Sequence, residues 1–262
     1  MNKVIDINSV KHKLDNYIKN YDINDPQIRI KRWHINRVSV LSKQLARKLH
    51  LSEENILLAQ LIGLLHDIGR FEQIKRYHTF IDKNSVDHGE FGVKILFEDG
   101  LIRSLIDTDK YDSIIKKAIL NHNKDQIDSN MSDIEYLHSQ IIRDADKTDI
   151  LYLSSFDNDD FAMFETDDLE KEVISYSVYK DFINNYKIDY NNINSKADTV
   201  LCHFAYIFDY NFVEMIEFIE NEKYIDKLYN RIVFDDYNSN EMFYKSYKLV
   251  KSYMNYRKNY TN

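Results

Sequence analysis

The chain of 262 residues contains one cysteine, Cys202, one proline, Pro26, and only five glycines. A lone cysteine excludes an internal disulfide and any thiolate cluster, so a metal site would have to use histidine and carboxylate ligands. It also fits a reducing compartment. A single proline leaves few enforced breaks in helices. Long apolar runs are missing as well: the longest, Ile56 to Leu65, is interrupted by Gln60 and is too short to cross a bilayer. The opening stretch, MNKVIDINSVKHKLD, lacks the uninterrupted apolar core of a secretory signal. These absences predict a cytoplasmic protein with no membrane partner. Positive charge is short too, with 35 Lys and Arg against 43 Asp and Glu and a net charge of −8. Stable nucleic-acid binding is therefore not expected, because it needs a cationic surface to displace counterions. A small phosphorylated ligand stays open, since bound metal ions reverse the sign of a local field.

What is present reads as helix almost throughout, and the expected fold class is all-α. Asp25-Pro26 predicts an N-cap followed by proline at the first helical position. The helix beyond carries Ile30, His34, Val38, Leu41 and Leu45 on one face. Ser52-Glu53-Glu54 restarts the chain as a cap with acidic residues in the first turn. That helix runs through Ile56, Ala59, Ile62 and Leu65 to His66, and Gly69 is its expected stop. Residues 71–84 read as a polar connection or a short helix. Further helices are expected at about 86–98, 110–122 and 133–153, with a polar loop from Asn123 to Ser132. All five glycines (Gly63, Gly69, Gly89, Gly92, Gly100) fall in this first half, which suggests close helix approach. The second half differs. An acidic stretch at 156–170 reads as surface, and the helices after it are rich in Tyr and Phe. Phe243, Tyr247, Val250 and Met254 form a stripe that reads as core. The expected partition is a helical segment 1–24, a core 25–155, and a helical extension 156–262 packed on that core.

Nine histidines are present, and most have an ordinary reading. His12, His50 and His78 are expected at the surface, while His138 and His203 are expected in packing or supporting roles. Four others lie at inward helix positions: His34 in register with Val38, His66 at the end of an apolar helix beside Asp67, His88 on the side of Phe91 and Ile95, and His122 ending IIKKAILNH. Burying four imidazoles costs desolvation energy unless each finds a partner, and a shared metal centre supplies one. The stretch IIRDADKTDIL offers a carboxylate. Asp146, directly after Ala145, is the expected inward one, with Asp144 and Asp149 expected at the surface.

In order, His34, His66-Asp67, His88, His122 and Asp146 resemble the HD phosphohydrolase superfamily. The stretches that carry the likeness are RWHINRV, LLHDIGR, DHGEFGVKIL, AILNH and RDADKTDIL, within about residues 25–155. The resemblance implies an HD-type helical bundle. It also implies one metal held by His34, His66, Asp67 and Asp146, and a second completed by Asp67, His88 and His122. The ions would be two divalent transition metals among Fe, Mn, Zn, Co and Ni. It implies metal-activated water cleaving a phosphate ester or anhydride of a nucleotide or another small phosphorylated molecule. Asp67 and Arg70 would be the catalytic residues, and Arg70, Arg37, Arg143 and Lys147 are candidate substrate contacts. Arg70 reads equally as a surface arginine at a helix terminus. No Gly-Tyr-Pro follows and Asn121-His122-Asn123 holds no His-His pair, which disfavours cyclic-di-GMP hydrolysis. The alternative is a metal- or nucleotide-binding sensor that uses the same pocket without turnover. Oligomeric state is not legible in the sequence.

Overall fold

The computed structural model describes residues 5–156 and 168–260. These residues form helices and no strand, and no helix among them is long and apolar enough to cross a membrane. The chain divides into two compact units, Met1–Asp149 and Ile150–Asn262.

In the first unit, α1 (Ile7–Ile18) buries Val10, Leu14 and Ile18, and Asp6 caps it by accepting from the N–H groups of Asn8 and Ser9. Helix α2 (Pro26–Lys48) begins as expected, with the Asp25 side chain accepting from Gln27 N and Pro26 at the first position. Helix α3 (Glu53–Leu65) is capped by Ser52 and is apolar nearly all round, because the unit encloses it on every side. It lies against α2. The closeness depends on Gly63: a Cβ there would fall 2.7 Å from the Ser39 Cα.

The chain then enters α4 (Ile68–Tyr77) without a loop, which corrects the expected stop at Gly69. Gly69 lies inside α4, and what it permits is contact with the next helix: a Cβ would stand 2.4 Å from the His88 carbonyl oxygen and 2.7 Å from Gly92 N. Helix α5 (His88–Val93) widens into a π-turn over Lys94–Glu98, and α6 (Leu101–Leu105) follows Gly100, whose φ is +82°. Helix α7 (Asp112–His122) and the loop beyond it lead into α8 (Asp133–Ser155). One apolar core joins these helices, from Val10 and Leu14 through Leu61, Leu64, Ile68 and Phe71 to Ile115, Ile119 and Ile142.

The second unit contains α9 (Tyr176–Asn185), α10 (Lys196–Ala205), α11 (Val213–Asn221), α12 (Tyr224–Arg231) and α13 (Tyr237–Tyr260). Its centre is aromatic: Phe204 and Phe243 stack with centroids 4.9 Å apart, and Val250 and Met254 are fully buried on the same stripe of α13. Tyr247 of that stripe is only half-buried and donates its hydroxyl to Asp226. Most of the acidic stretch 156–170 lies outside the described residues.

Candidate metal centre

His66 closes α3 by donating its backbone N–H to Ile62 O, and Asp67 opens α4. Two titratable side chains therefore sit at a rigid corner where two buried helices meet. His34 comes from the middle of α2, His88 from the first turn of α5, His122 from the last turn of α7, and Asp146 from α8. The four histidines and Asp67 are buried, and the Asp146 side chain is 19% exposed.

The Nδ1 atoms fix the chemistry. His34 Nδ1 lies 2.7 Å from Asp149 Oδ2, and His66 Nδ1 lies 3.0 Å from Gly63 O. His88 Nδ1 lies 2.6 Å from Asp82 Oδ2, and His122 Nδ1 lies 2.6 Å from Ile119 O. Carbonyl and ionised carboxylate oxygens only accept, so each Nδ1 donates and each neutral ring presents an Nε2 lone pair. The Nε2 atoms meet in two pairs: His34 and His66 are 3.2 Å apart at Nε2, and His88 and His122 are 2.9 Å apart.

Asp67 stands between the pairs. Its Oδ2 is 3.4 Å from His34 Nε2 and 3.7 Å from His66 Nε2, while its Oδ1 is 3.4 Å from His88 Nε2 and 3.6 Å from His122 Nε2. Asp146 Oδ1 joins the first pair, 3.1 Å from His34 Nε2 and 3.6 Å from His66 Nε2. Neutral rings facing each other this way would repel through their lone pairs, and a divalent cation between them relieves the nitrogens and the carboxylates together. The spacing suits one: ligand atoms about 2.1 Å from a shared ion stand roughly 3.0–3.4 Å apart. The donor set thus fits a divalent transition metal in each half.

Protonation follows from the same contacts. Burial and the Lys31 charge work against a charged His34, but bonds to Asp146, Asp149 and Asp67 outweigh them and push it up to about 10. Burial lowers His66, and burial together with the Arg70 charge lowers His88 to about 4. Burial would raise Asp67, yet Lys31 and the neighbouring histidines hold it well below the usual carboxylate range. Asp146 is held down in the same way by His34 and His66. Ionised carboxylates and neutral imidazoles are the forms that bind metal. The proton favoured on His34 stands where a cation would otherwise serve.

The expected arginines are placed differently from one another. Arg37 donates from Nε at 2.5 Å and from Nη2 at 2.9 Å to the two oxygens of Asp149, so it clamps the carboxylate that orients His34. Arg70 Nη1 donates to Gln73 Oε1, Phe80 O and Asp82 Oδ1. Its Nε is buried without a hydrogen-bond partner, 3.7 Å from Asp67 Oδ1. Arg143 is buried and donates to the carbonyls of Asn121, Lys124 and Asp125, where it holds the loop after α7. Lys147 is half-buried on α8.

Asp144 and Asp149 are buried, contrary to the surface position expected of them. Asp149 lies one turn beyond Asp146 and turns inward because His34 and Arg37 meet it there. Sequence reasoning also missed Lys31 and Asp82. Buried Lys31 donates to Asp67 Oδ2 at 2.7 Å, and its place three residues before His34, on the same helix face, was the available signal. Nothing in IDKNSVDHGE distinguishes Asp82 from Asp87 beforehand.

No curated protein and no solved structure matches the chain. Residues 33–151 match the family model of the HD domain, a span that takes in His34, the His66-Asp67 corner, His88, His122, Asp146 and Asp149. HD domains bind divalent metals and are in general metal-dependent hydrolases. The ordered histidines and aspartates and the matched span agree: residues 33–151 of the chain are an HD domain.

Proposed function

We propose that the chain is a metal-dependent phosphohydrolase that cleaves a phosphate ester or anhydride of a nucleotide or another small phosphorylated molecule. The observation that carries this reading is the convergence of four histidine Nε2 atoms on the two oxygens of Asp67. His34, His66, Asp67 and Asp146 would hold one ion, and Asp67, His88 and His122 a second. When bound, two divalent ions lower the pKa of water and neutralise charge on a phosphoryl group.

The chain's own side chains have separate tasks. Asp67 presents one oxygen to each half, and Lys31 neutralises part of its charge through Oδ2. Asp149 and Asp82 fix the tautomers of His34 and His88, so that the Nε2 lone pairs face inward without a rotameric search. Asp146 is the most open of the six ligand-type residues. Its side marks where water and substrate approach, while the apolar core closes the rest. Arg70 Nε is buried without a hydrogen-bond partner 3.7 Å from Asp67 Oδ1, and a phosphoryl oxygen is the acceptor that suits it. No side-chain nucleophile is needed.

The test is a panel of phosphomonoesters, phosphodiesters and nucleotides assayed with Mn, Fe, Co, Ni and Zn. Metal-dependent release of product supports the reading. Saturable nucleotide binding with no product from any metal defeats it and leaves a sensor.

A further inference from the structure

We infer that Asp82, pinned in place by Arg70 and Gln73, is the positioning residue that sets the affinity of the second ion; this rests on the two-ion reading above. Phe80 packs the start of the connection between α4 and α5 against the apolar core. What fixes Asp82 itself is polar. Gln73 is fully buried on α4, and its Nε2 donates to Asp82 Oδ1 at 3.0 Å, to Ser85 Oγ at 2.8 Å and to Val86 O at 3.2 Å. Arg70, one turn earlier, donates from Nη1 to Phe80 O at 2.6 Å and to Asp82 Oδ1 at 2.8 Å. Two side chains of one helix turn thus hold residues 80, 82, 85 and 86 at once. The product of that pinning is the seat of His88: Asp82 Oδ2 lies 2.6 Å from His88 Nδ1 and accepts from the His88 backbone N–H at 3.4 Å.

The other half is held differently. Asp149 stands on a long helix with its side chain 1% exposed, whereas the Asp82 side chain is 31% exposed on a connection. Both carboxylates are gripped by an arginine and both orient a histidine. Only Asp82 depends on a connecting segment staying in place. Its two oxygens face donors on opposite sides, Arg70 and Gln73 on one and His88 on the other. An asparagine offers one acceptor and one donor group, so it can meet one side and not both. Arg70 and Gln73 are also the third and sixth residues after Asp67, so the corner that bridges the halves carries the pins for the second one.

The experiment titrates metal-free wild type, Asp82→Asn and Asp82→Ala with Mn(II), following binding by calorimetry and the metal by electron paramagnetic resonance. The expected result is two ions in wild type. In Asp82→Asn the second-ion affinity falls about 10–100-fold, while the first changes by less than about 3-fold. Asp82→Ala moves further in the same direction. At Mn(II) levels that give wild type a spin-coupled pair, the variants show an isolated-ion signal, which a general loss of folding would not produce. If Asp82→Ala does not fold, the near-isosteric Asp82→Asn carries the test. Unchanged second-ion affinity, or equal loss of both ions, overturns the inference and leaves the two-ion reading standing. A wild-type chain that takes fewer than two ions overturns that reading and the inference with it.

Discussion

The two halves of the histidine cluster are built from the same parts on different supports. In each, one histidine is held by a backbone carbonyl of its own helix and the other by a carboxylate with an arginine on it. His34 and His66 stand on α2 and α3, helices locked at Gly63, and Asp149 belongs to a third helix. His88 starts a short helix, and its carboxylate comes from a connection. The same chemistry is therefore carried by packed helices on one side and by a pinned connection on the other. The difference predicts that donor identity sets what can bind, while the support behind each donor sets how tightly.

The largest expected effect removes the element the halves share. Asp67→Ala takes a bridging oxygen from each and leaves Lys31 without its partner, so both ions and at least about 10³-fold of hydrolysis should be lost, with helical circular dichroism retained. Turnover surviving in that variant would break the comparison at its root. Next comes Gly69→Ala, which strikes one side only. The new Cβ meets the His88 carbonyl and the Gly92 backbone, neither of which can yield like a side chain, and about 3 kcal/mol of stability should be lost in chemical denaturation. Metal binding should weaken in the second half before the first.

Asp149→Asn is the mirror of the Asp82 experiment. It should weaken the first ion about 10–100-fold, since Asn cannot accept from Arg37 and His34 on both oxygens. Loss of the second ion in place of the first would erase the distinction between the two halves.

The smallest effect concerns a histidine outside both halves. His138 is buried with Nδ1 unpartnered and Nε2 3.3 Å from Asn55 Oδ1, and burial lowers it to about 4. The unfolded chain takes up a proton near pH 6.5, while the folded chain resists until about pH 4. Stability from the neutral ring is therefore complete above that window and falls as pH drops through it. Between pH 6.5 and 5 the loss is about 2 kcal/mol. His138→Gln, compared with wild type by denaturation at those two pH values, should show a smaller drop. An identical drop would mean that His138 carries none of the acid sensitivity.

Helix order was legible because caps and periodicity are local: Asp25-Pro26, Ser52 and the stripe through Ile30 and Val38 need no tertiary knowledge. Gly69 misled because glycine ends helices and also lets them touch, and only the position of α5 decides between the two. The six ligand-type residues stood out as titratable groups at apolar positions. Asp149 and Asp82 did not, since their value lies in what they face across the fold: His34 is 115 residues away from Asp149 in sequence. Lys31 hid among the charges of α2, and its spacing from His34 was the one signal of its burial against Asp67. The second unit yielded its core stripe but no chemistry, because its buried positions repeat aromatic side chains that packing alone explains.

The most direct measurement is the metal content of the wild-type chain after reconstitution with Mn, Fe, Co, Ni or Zn and dialysis against metal-free buffer. Close to two ions per chain, falling to none in Asp67→Ala, is the predicted result. A wild-type chain that retains no ion from any of the five would contradict the account.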